Sequence, residues 1–271
     1  ELLRPINSVM AAVAVLVGAV VVAGTYSAYM TDVHLAIIAT FVITSAGMVI
    51  NDFCDRDIDF LNKRNRPIPS GRVSPKGALV ISLVLFGVGV YMAYFINIYC
   101  FVIAFINSAF LFLYSIKIKK IPLMGHLFVS YLVASSFLFG GFAVNLNNMI
   151  PVAVLALLSF FSNVSREIVK TIEDMKGDRM GKVKSLPIIF GEKNARRIAS
   201  LFMAISILLA PLPYLLGYMN EIYMYVVSIG VILFIFSVIW NERETPADKV
   251  HKLMKVAMIF SLFAFLVGAL V

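Results

Sequence analysis

The apolar segment HLAIIATFVITSAGMVI, residues 34–50, runs directly into NDFCDRDID, residues 51–59. An apolar run of about 20 residues crosses the hydrocarbon core of a membrane as a helix. The second segment holds four aspartates, which is more charge than the end of a membrane span needs. The two segments together predict a membrane protein with a polar site at the end of one of its helices.

The whole chain has the composition of a polytopic membrane protein. Of its 271 residues, 61% are hydrophobic and 14% are charged, and the mean hydropathy is +0.94. We expect an all-α integral membrane protein, a bundle of nine transmembrane helices with a central polar cavity open to the cytoplasmic side, forming one domain over residues 1–271. The predicted spans are 8–29, 33–52, 75–95, 98–116, 124–145, 149–172, 194–217, 221–240 and 252–271.

The basic residues predict the orientation. All 23 Lys and Arg lie at the N-terminus or in or beside alternate connections, and none lies in the connections at 30–32, 96–97, 146–148 and 218–221. The positive-inside rule therefore makes the N-terminus and the basic loops cytoplasmic. We expect a multi-pass protein of the cell membrane with its active site on the cytoplasmic side. A nucleic-acid partner is not expected, because no soluble basic domain exists to bind one.

The first acidic cluster has a helical pattern. If the second span continues through the motif, Asn51, Asp52, Asp55 and Asp59 fall within an arc of about 100°, and Asp57 points to the other side. A solvated helix end explains any one of these aspartates. Four oxygen ligands on one face repel one another unless cations neutralise them, and this arrangement favours a hard cation, with Mg²⁺ the first candidate.

A second cluster ends the sixth predicted span, in SNVSREIVKTIEDMKGD, residues 162–178. Ionisable side chains within a membrane helix normally face a polar interior, so this stripe is expected to line the cavity. Glu173 points elsewhere, and Glu167 is expected about 10 Å deeper than Asp174. The stripe consists of Asn163, Glu167, Lys170, Thr171, Asp174 and Asp178. Of these, Asn163, Glu167 and Lys170 are expected to bind substrate.

The two acidic regions have the pattern of a diverged repeat. FLNKRNRPIPSGRVSPKG follows Asp59 and RMGKVKSLPIIFGEKNAR follows Asp178, so acids, basic residues and a Pro-Ile-x-x-Gly turn come in the same order. We expect two equivalent acidic helices that face each other. Carboxylates with Mg²⁺ and many cationic side chains suit a diphosphate, and metal-assisted loss of diphosphate from an allylic isoprenoid gives a carbocation that a nucleophile captures.

These motifs carry a resemblance to a known family. NDFCDRDID resembles the NDxxDxxxD motif of the UbiA-type intramembrane prenyltransferases, and DMKGD, residues 174–178, resembles their second motif, DxxxD. YSIKIKKIPLMGH, residues 114–126, is similar to their loop pattern of Tyr-Ser followed by Lys and Pro-x-x-Gly. The resemblance covers nearly the whole chain.

The resemblance implies roles for matching residues. The aspartates of both motifs are implied to be catalytic: Asp52, Asp55, Asp59, Asp174 and Asp178. The ligands of Mg²⁺ are implied to be Asn51, Asp55, Asp59, Asp174 and Asp178, and the cations that hold diphosphate to be Lys63, Arg66, Lys119 and Lys184. The chain departs from the family pattern at Thr171, where some relatives have a third acid, and at His126, where many have Asn.

A narrower resemblance points to the acceptor. RPINS, residues 4–8, with DRDIDFLNKRNRPIPSGRVSP and SREIVKTIEDMKGDR, resembles the members of the family that act in archaeal ether-lipid synthesis. Those enzymes transfer a geranylgeranyl group from its diphosphate to the sn-2 hydroxyl of geranylgeranylglyceryl phosphate. The acceptor's phosphate needs a cationic partner, and Arg4 beside Asn7 is a candidate. The predicted partners are thus an isoprenyl diphosphate, a lipid-like phosphate acceptor and membrane lipid, and no obligate protein partner is implied.

Two other functions fit parts of the pattern. Within the same fold the acceptor could be an aromatic acid or a quinone precursor, since pocket shape decides this and the sequence does not display it. A cation-coupled transporter also combines repeated halves with buried acids. Transporters place coupling residues near the membrane midplane, whereas nearly all the acids here are at one face, which favours the enzyme.

Overall fold

The computed structural model of the chain describes residues 2–23, 30–62, 64–118, 121–144, 146–147, 149–180 and 184–270. Within these ranges the regular structure is helical, with no strand. The helices are α1 (Pro5–Ala23), α2 (Met30–Cys54), α3 (Arg56–Asn62), α4 (Pro75–Tyr94), α5 (Ile98–Ile116), α6 (Met124–Val144), α7 (Ile150–Glu173), α8 (Met175–Met180), α9 (Leu186–Phe190), α10 (Glu192–Leu209), α11 (Leu212–Leu215), α12 (Glu221–Glu242) and α13 (Ala247–Leu270).

The predicted membrane spans are confirmed. Among the described residues, nine helical segments are long and apolar enough to cross a membrane, and each matches one predicted span. Residues 24–29 of the first predicted span lie outside the described ranges. The last helix begins at Ala247, five residues before the predicted start, because the Pro246 carbonyl accepts hydrogen bonds from the Lys249 and Val250 amides at 3.0 and 3.4 Å. Hydropathy alone placed the start at the first apolar residues and missed this polar first turn.

Two compact units divide the chain. The first comprises Glu1–Ala19, Tyr26–Lys119 and Ser135–Leu146, and the second comprises Val20–Thr25, Lys120–Ala134 and Asn147–Val271. The boundary falls within α6, so the first half of that helix belongs to the second unit. The single domain over 1–271 stays a prediction of the sequence, as does the central cavity with its cytoplasmic opening.

In the first unit α2 packs against α4 and α5, which also pack on each other. Buried small residues allow this close contact, among them Ala39 and Ala46 on α2 and Ala93 on α4. Two glycines bring α1 against the second half of α6, since a Cβ on Gly18 would overlap the Phe137 carbonyl and one on Gly140 would overlap the Val15 carbonyl. Such small-residue crossings are how membrane helices approach without a hydrophobic driving force.

In the second unit α7 packs against α10 and α13, and α12 packs against both α10 and α13. Arg196, at the start of α10 and 5% exposed, links α10 to the end of α12. It donates to the Asn241 side chain at 3.4 Å and to the Thr245 carbonyl at 3.1 Å, and the Asn241 amide donates to the Ser200 hydroxyl at 2.9 Å. The buried guanidinium is thus satisfied within the protein, which fixes the helices that support α7.

Candidate active site

Both acidic motifs interrupt a long helix in the same way. Helix α2 ends one residue before Asp55, and α7 ends one residue before Asp174. The backbone hydrogen bonds continue across each break, since the Asp59 amide donates to the Asp55 carbonyl at 2.8 Å and the Asp178 amide to the Asp174 carbonyl at 3.0 Å. The two motifs therefore have the same local structure, as the repeat in the sequence predicts.

In the first motif two carboxylates are buried against arginines. Asp52 and Asp59 are each 4% exposed. Arg66 forms an ion pair with Oδ2 of Asp59 and lies 3.3 Å from Oδ1 of Asp52, and Arg4 forms an ion pair with the same Asp52 oxygen. Charge-assisted contacts of this kind compensate the cost of burying a carboxylate. Four residues that the sequence singled out separately thus form one cluster.

The start of α1 is fixed against α2. Arg4 has φ of 41°, in the left-handed region that non-glycine residues rarely adopt. The Ser8 and Ser45 hydroxyls are hydrogen-bonded at 2.9 Å, and the amide of Asn7, an exposed residue, lies 3.8 Å from the Met48 sulfur. These contacts hold Arg4 beside Asp52, and an unusual backbone conformation so fixed is typical of functional positions.

The remaining residues of the first motif agree with the one-face pattern. Asn51 and Asp55 are half-buried and have interaction partners in the structure. Asp57 is on the other side, with its side chain 86% exposed and 3.7 Å from Nε of Arg56. Helical periodicity therefore separates the buried acids of this segment from the exposed one.

In the second unit, α7 contains a buried polar group deeper than its acidic end. Nε and Nη2 of Arg166 donate to the Asn163 amide oxygen at 3.2 and 2.9 Å, and Nη2 also donates to Oε1 of Glu167 at 2.6 Å. Asn163 in turn donates to the Ser130 hydroxyl of α6 at 3.1 Å. Asn163 and Glu167 were predicted to line a polar interior, and the structure joins them through Arg166.

The two positions at which the chain departs from the family pattern contact each other. Thr171 Oγ1 lies 3.3 Å from Nε2 of His126, and the Thr171 hydroxyl donates to the Glu167 carbonyl at 2.8 Å. Glu173 points away from this group, as predicted, and lies 3.1 Å from Nδ1 of His251 on α13. The polar face of α7 is thus directed towards α6, and Glu173 towards α13.

The other predicted site residues are more exposed. Lys170, Asp174 and Lys184 are exposed, and Asp178 is partly buried. Lys63 and Lys119, which the resemblance implies to bind diphosphate, lie outside the described residues.

The donor atoms fit a hard cation better than a soft one. The described acids of both motifs offer carboxylate oxygens, while His126 and His251 contact Thr171 and Glu173. Within the described ranges, no three His, Cys, Asp or Glu side chains lie close enough to hold a metal by themselves. Mg²⁺ binds carboxylate oxygens together with waters and substrate phosphates, so the donor types of the two motifs suit it.

Arg166 is the residue that sequence reasoning missed. It lies three residues after Asn163, so it falls at the edge of the same helical stripe, and its charge was attributed to topology. A basic residue placed seven residues before the end of an apolar helix was the signal that could have found it.

These features, an all-helical membrane fold with two matching acidic helix ends, define an intramembrane prenyltransferase. Residues 11–266 match the UbiA prenyltransferase family. The chain belongs to that family.

Individual relatives match over almost their whole length. The digeranylgeranylglyceryl phosphate synthase of Methanococcoides burtonii is 40% identical, with 99% of this chain and 98% of the relative covered. The enzyme of the same name from Methanopyrus kandleri is 41% identical, with 100% and 98% covered.

Solved structures match as well. A structure described as giving structural and mechanistic insights into the biosynthesis of digeranylgeranylglyceryl phosphate synthase in membranes has a TM-score of 0.93 and 37% identity, with 100% of this chain and 96% of the other covered. A UbiA homolog from Archaeoglobus fulgidus, bound to GPP and Mg²⁺, has a TM-score of 0.73 at 19% identity, with 98% of each chain covered. The latter likeness concerns the fold alone.

Proposed function

We propose that this chain transfers a geranylgeranyl group from geranylgeranyl diphosphate to the sn-2 hydroxyl of geranylgeranylglyceryl phosphate, releasing diphosphate. The observation that carries the proposal is the full-length similarity to relatives named digeranylgeranylglyceryl phosphate synthase. The buried polar and acidic groups described above supply the side chains that such a reaction needs.

The acids of the two motifs are the proposed metal ligands. The first motif contributes Asn51, Asp55 and Asp59, and the second motif contributes Asp174 and Asp178. Of the two carboxylate oxygens of Asp59, Arg66 contacts Oδ2, and we assign Oδ1 to the cation. When bound, Mg²⁺ neutralises diphosphate charge and makes diphosphate a better leaving group.

Cationic side chains complete the proposed diphosphate site. Arg66 is held beside the acids by Asp52 and Asp59, so its position is fixed before substrate binds. We assign Lys63, Lys119 and Lys184 to the same task from the family resemblance. Preorganised cations stabilise the charge that develops on departing diphosphate without further reorganisation.

Arg4 and Asn7 are the proposed partners of the acceptor's phosphate. Arg4 lies next to the acid cluster, and both residues belong to the segment that the α1–α2 contacts fix in place. The basic loops support a cytoplasmic active site, which is where water-soluble diphosphate would be released.

Product analysis tests the proposal. Purified protein in detergent would receive geranylgeranyl diphosphate, Mg²⁺ and either geranylgeranylglyceryl phosphate or 4-hydroxybenzoate, with products identified by mass spectrometry. We expect the diether phosphate with the first acceptor and no prenylated product with the second. A prenylated aromatic product in place of the ether would move the assignment to aromatic acceptors, and no turnover with either would contradict a transferase.

A further inference from the structure

The pair formed by Arg166 and Glu167 is not part of the proposed metal site. Glu167 lies seven residues before Asp174 on one helix, which separates the two by about 10 Å along its axis. A charged pair at this position in a membrane-spanning helix is costly, and such pairs normally serve function. Both charged side chains are largely buried, with 23% of Arg166 and 18% of Glu167 exposed.

The hydrogen bonds of the pair fix the carboxylate and leave half of it for a substrate. Arg166 binds Asn163 through two nitrogens, and Asn163 is held by Ser130 from α6, so the guanidinium is anchored from two helices. Arg166 then contacts only Oε1 of Glu167. Among the described residues Oε2 has no hydrogen-bond partner, while the side chain keeps part of its surface accessible.

The proposed transfer needs a group with this chemistry. When a hydroxyl oxygen bonds to the prenyl carbon, the product is a protonated ether, which must lose its proton. A protonated ether is far more acidic than a carboxylic acid, so a carboxylate paired with arginine is basic enough. A phosphate dianion is a poor ligand for the same place, because Glu167 would repel it.

We infer that Glu167 accepts the proton of the acceptor's sn-2 hydroxyl and that Arg166 positions it for this step. The bond between the prenyl carbon C1 and the diphosphate oxygen breaks, and diphosphate leaves with the bonding electron pair. The hydroxyl oxygen donates a lone pair to C1 and forms the ether bond, and its proton passes to Oε2 of Glu167 and then to water. This inference rests on the proposed function, since it requires a hydroxyl acceptor.

Isotope exchange separates this role from ionisation of the diphosphate. Geranylgeranyl diphosphate labelled with ¹⁸O at the bridging position loses that positional label whenever the C1–O bond breaks and re-forms. Exchange would be measured with an acceptor analogue lacking the sn-2 hydroxyl, and single-turnover transfer with the true acceptor. The variants are Glu167→Gln, Glu167→Asp and Arg166→Lys, with Glu173→Gln on the same helix as the matched control and Asp55→Asn as the ionisation reference.

We expect Glu167→Gln to lower the transfer rate about 100-fold or more, the usual effect of losing a general base, with label exchange unchanged. Glu167→Asp and Arg166→Lys should lie between Glu167→Gln and the wild type in transfer, again with normal exchange. Glu173→Gln should resemble the wild type, and Asp55→Asn should lose both reactions.

Three results would overturn the inference. The first is a transfer rate of Glu167→Gln within threefold of wild type. The second is loss of label exchange together with transfer in that variant. The third is a selective loss of transfer in His126→Asn while Glu167→Gln keeps its transfer activity. If the wild-type protein forms no ether at all, the proposed function fails before any variant is compared.

Discussion

Asp57 and Asp59 are two residues apart in α3, yet 86% of the Asp57 side chain is exposed and only 6% of the Asp59 side chain is. Asp59 is paired with Arg66, whereas Asp57 lies near the partly buried Arg56. Two carboxylates of equal charge in one helical turn therefore differ in burial. Comparing their substitutions can distinguish a specific role at the site from a general effect of surface charge.

Substitution of single acids in the first motif tests this separation. We expect Asp55→Asn and Asp59→Asn each to lower kcat about 100-fold or more, since each removes a proposed oxygen ligand where charge develops on leaving diphosphate. Asp57→Asn should stay within about twofold of wild type, because an exposed charge is screened by salt. The rates would be measured at saturating Mg²⁺ on variants shown to be folded. Equal damage from Asp57→Asn would contradict the one-face arrangement.

The matching backbone of the two motifs predicts matching phenotypes. Asp174 follows the end of α7 as Asp55 follows the end of α2, so Asp174→Asn should reduce kcat by a factor similar to that of Asp55→Asn. Glu173→Gln, one residue earlier, should be nearly neutral because Glu173 is directed to His251. A nearly neutral Asp174→Asn, with Asp55→Asn severe, would mean that the second motif does not share the task of the first.

The helices were largely predictable from the sequence, because an apolar run of about 20 residues has few other stable structures in a membrane. The nine spans among the described residues were found in this way. The start of α13 was not, since it depends on Pro246 and a polar first turn that hydropathy does not detect.

The sequence predicts which residues of one helix share a face, because helical periodicity determines this. It does not predict contacts between segments that are far apart in the chain. Helical spacing separated Asp57 from Asp52 and Asp59. The contact of Arg4 with Asp52 joins residues 48 positions apart, and only packing of α1 on α2 creates it. Arg166 was overlooked because one basic residue near a helix end is also what topology alone produces.

Removal of divalent cations should abolish turnover. The proposed ligands are carboxylate and amide oxygens, which favour Mg²⁺ over softer metals. We expect excess EDTA to stop transfer and added Mg²⁺ to restore it, and Mg²⁺ with a non-hydrolysable diphosphate analogue to raise the melting temperature in detergent more than the analogue alone. Undiminished turnover in excess chelator would contradict a metal site.

Arg4→Ala should weaken binding of the acceptor. We expect its KM for geranylgeranylglyceryl phosphate to rise about tenfold, within the range of a charge-assisted hydrogen bond, while the KM for geranylgeranyl diphosphate changes little. Initial rates over a matrix of both substrate concentrations separate the two constants. An unchanged acceptor KM with lower thermal stability would instead make Arg4 a structural partner of Asp52.

The crossing of α1 and α6 should control the stability of the first unit and, through α1, the position of Arg4. A methyl group on Gly140 would overlap the Val15 carbonyl, which is backbone and cannot turn aside as a side chain could. We expect Gly140→Ala to destabilise the protein by about 1–3 kcal/mol, as overpacking does, and to raise the KM for the acceptor because α1 is displaced. Gly87→Ala on α4 is the matched control, because a Cβ there has no atom within 4 Å and alanine is the better helix former. Thermal melting in detergent and acceptor kinetics on both variants provide the test, and equal stability of the two variants would show that the close approach of α1 and α6 does not hold the first unit together.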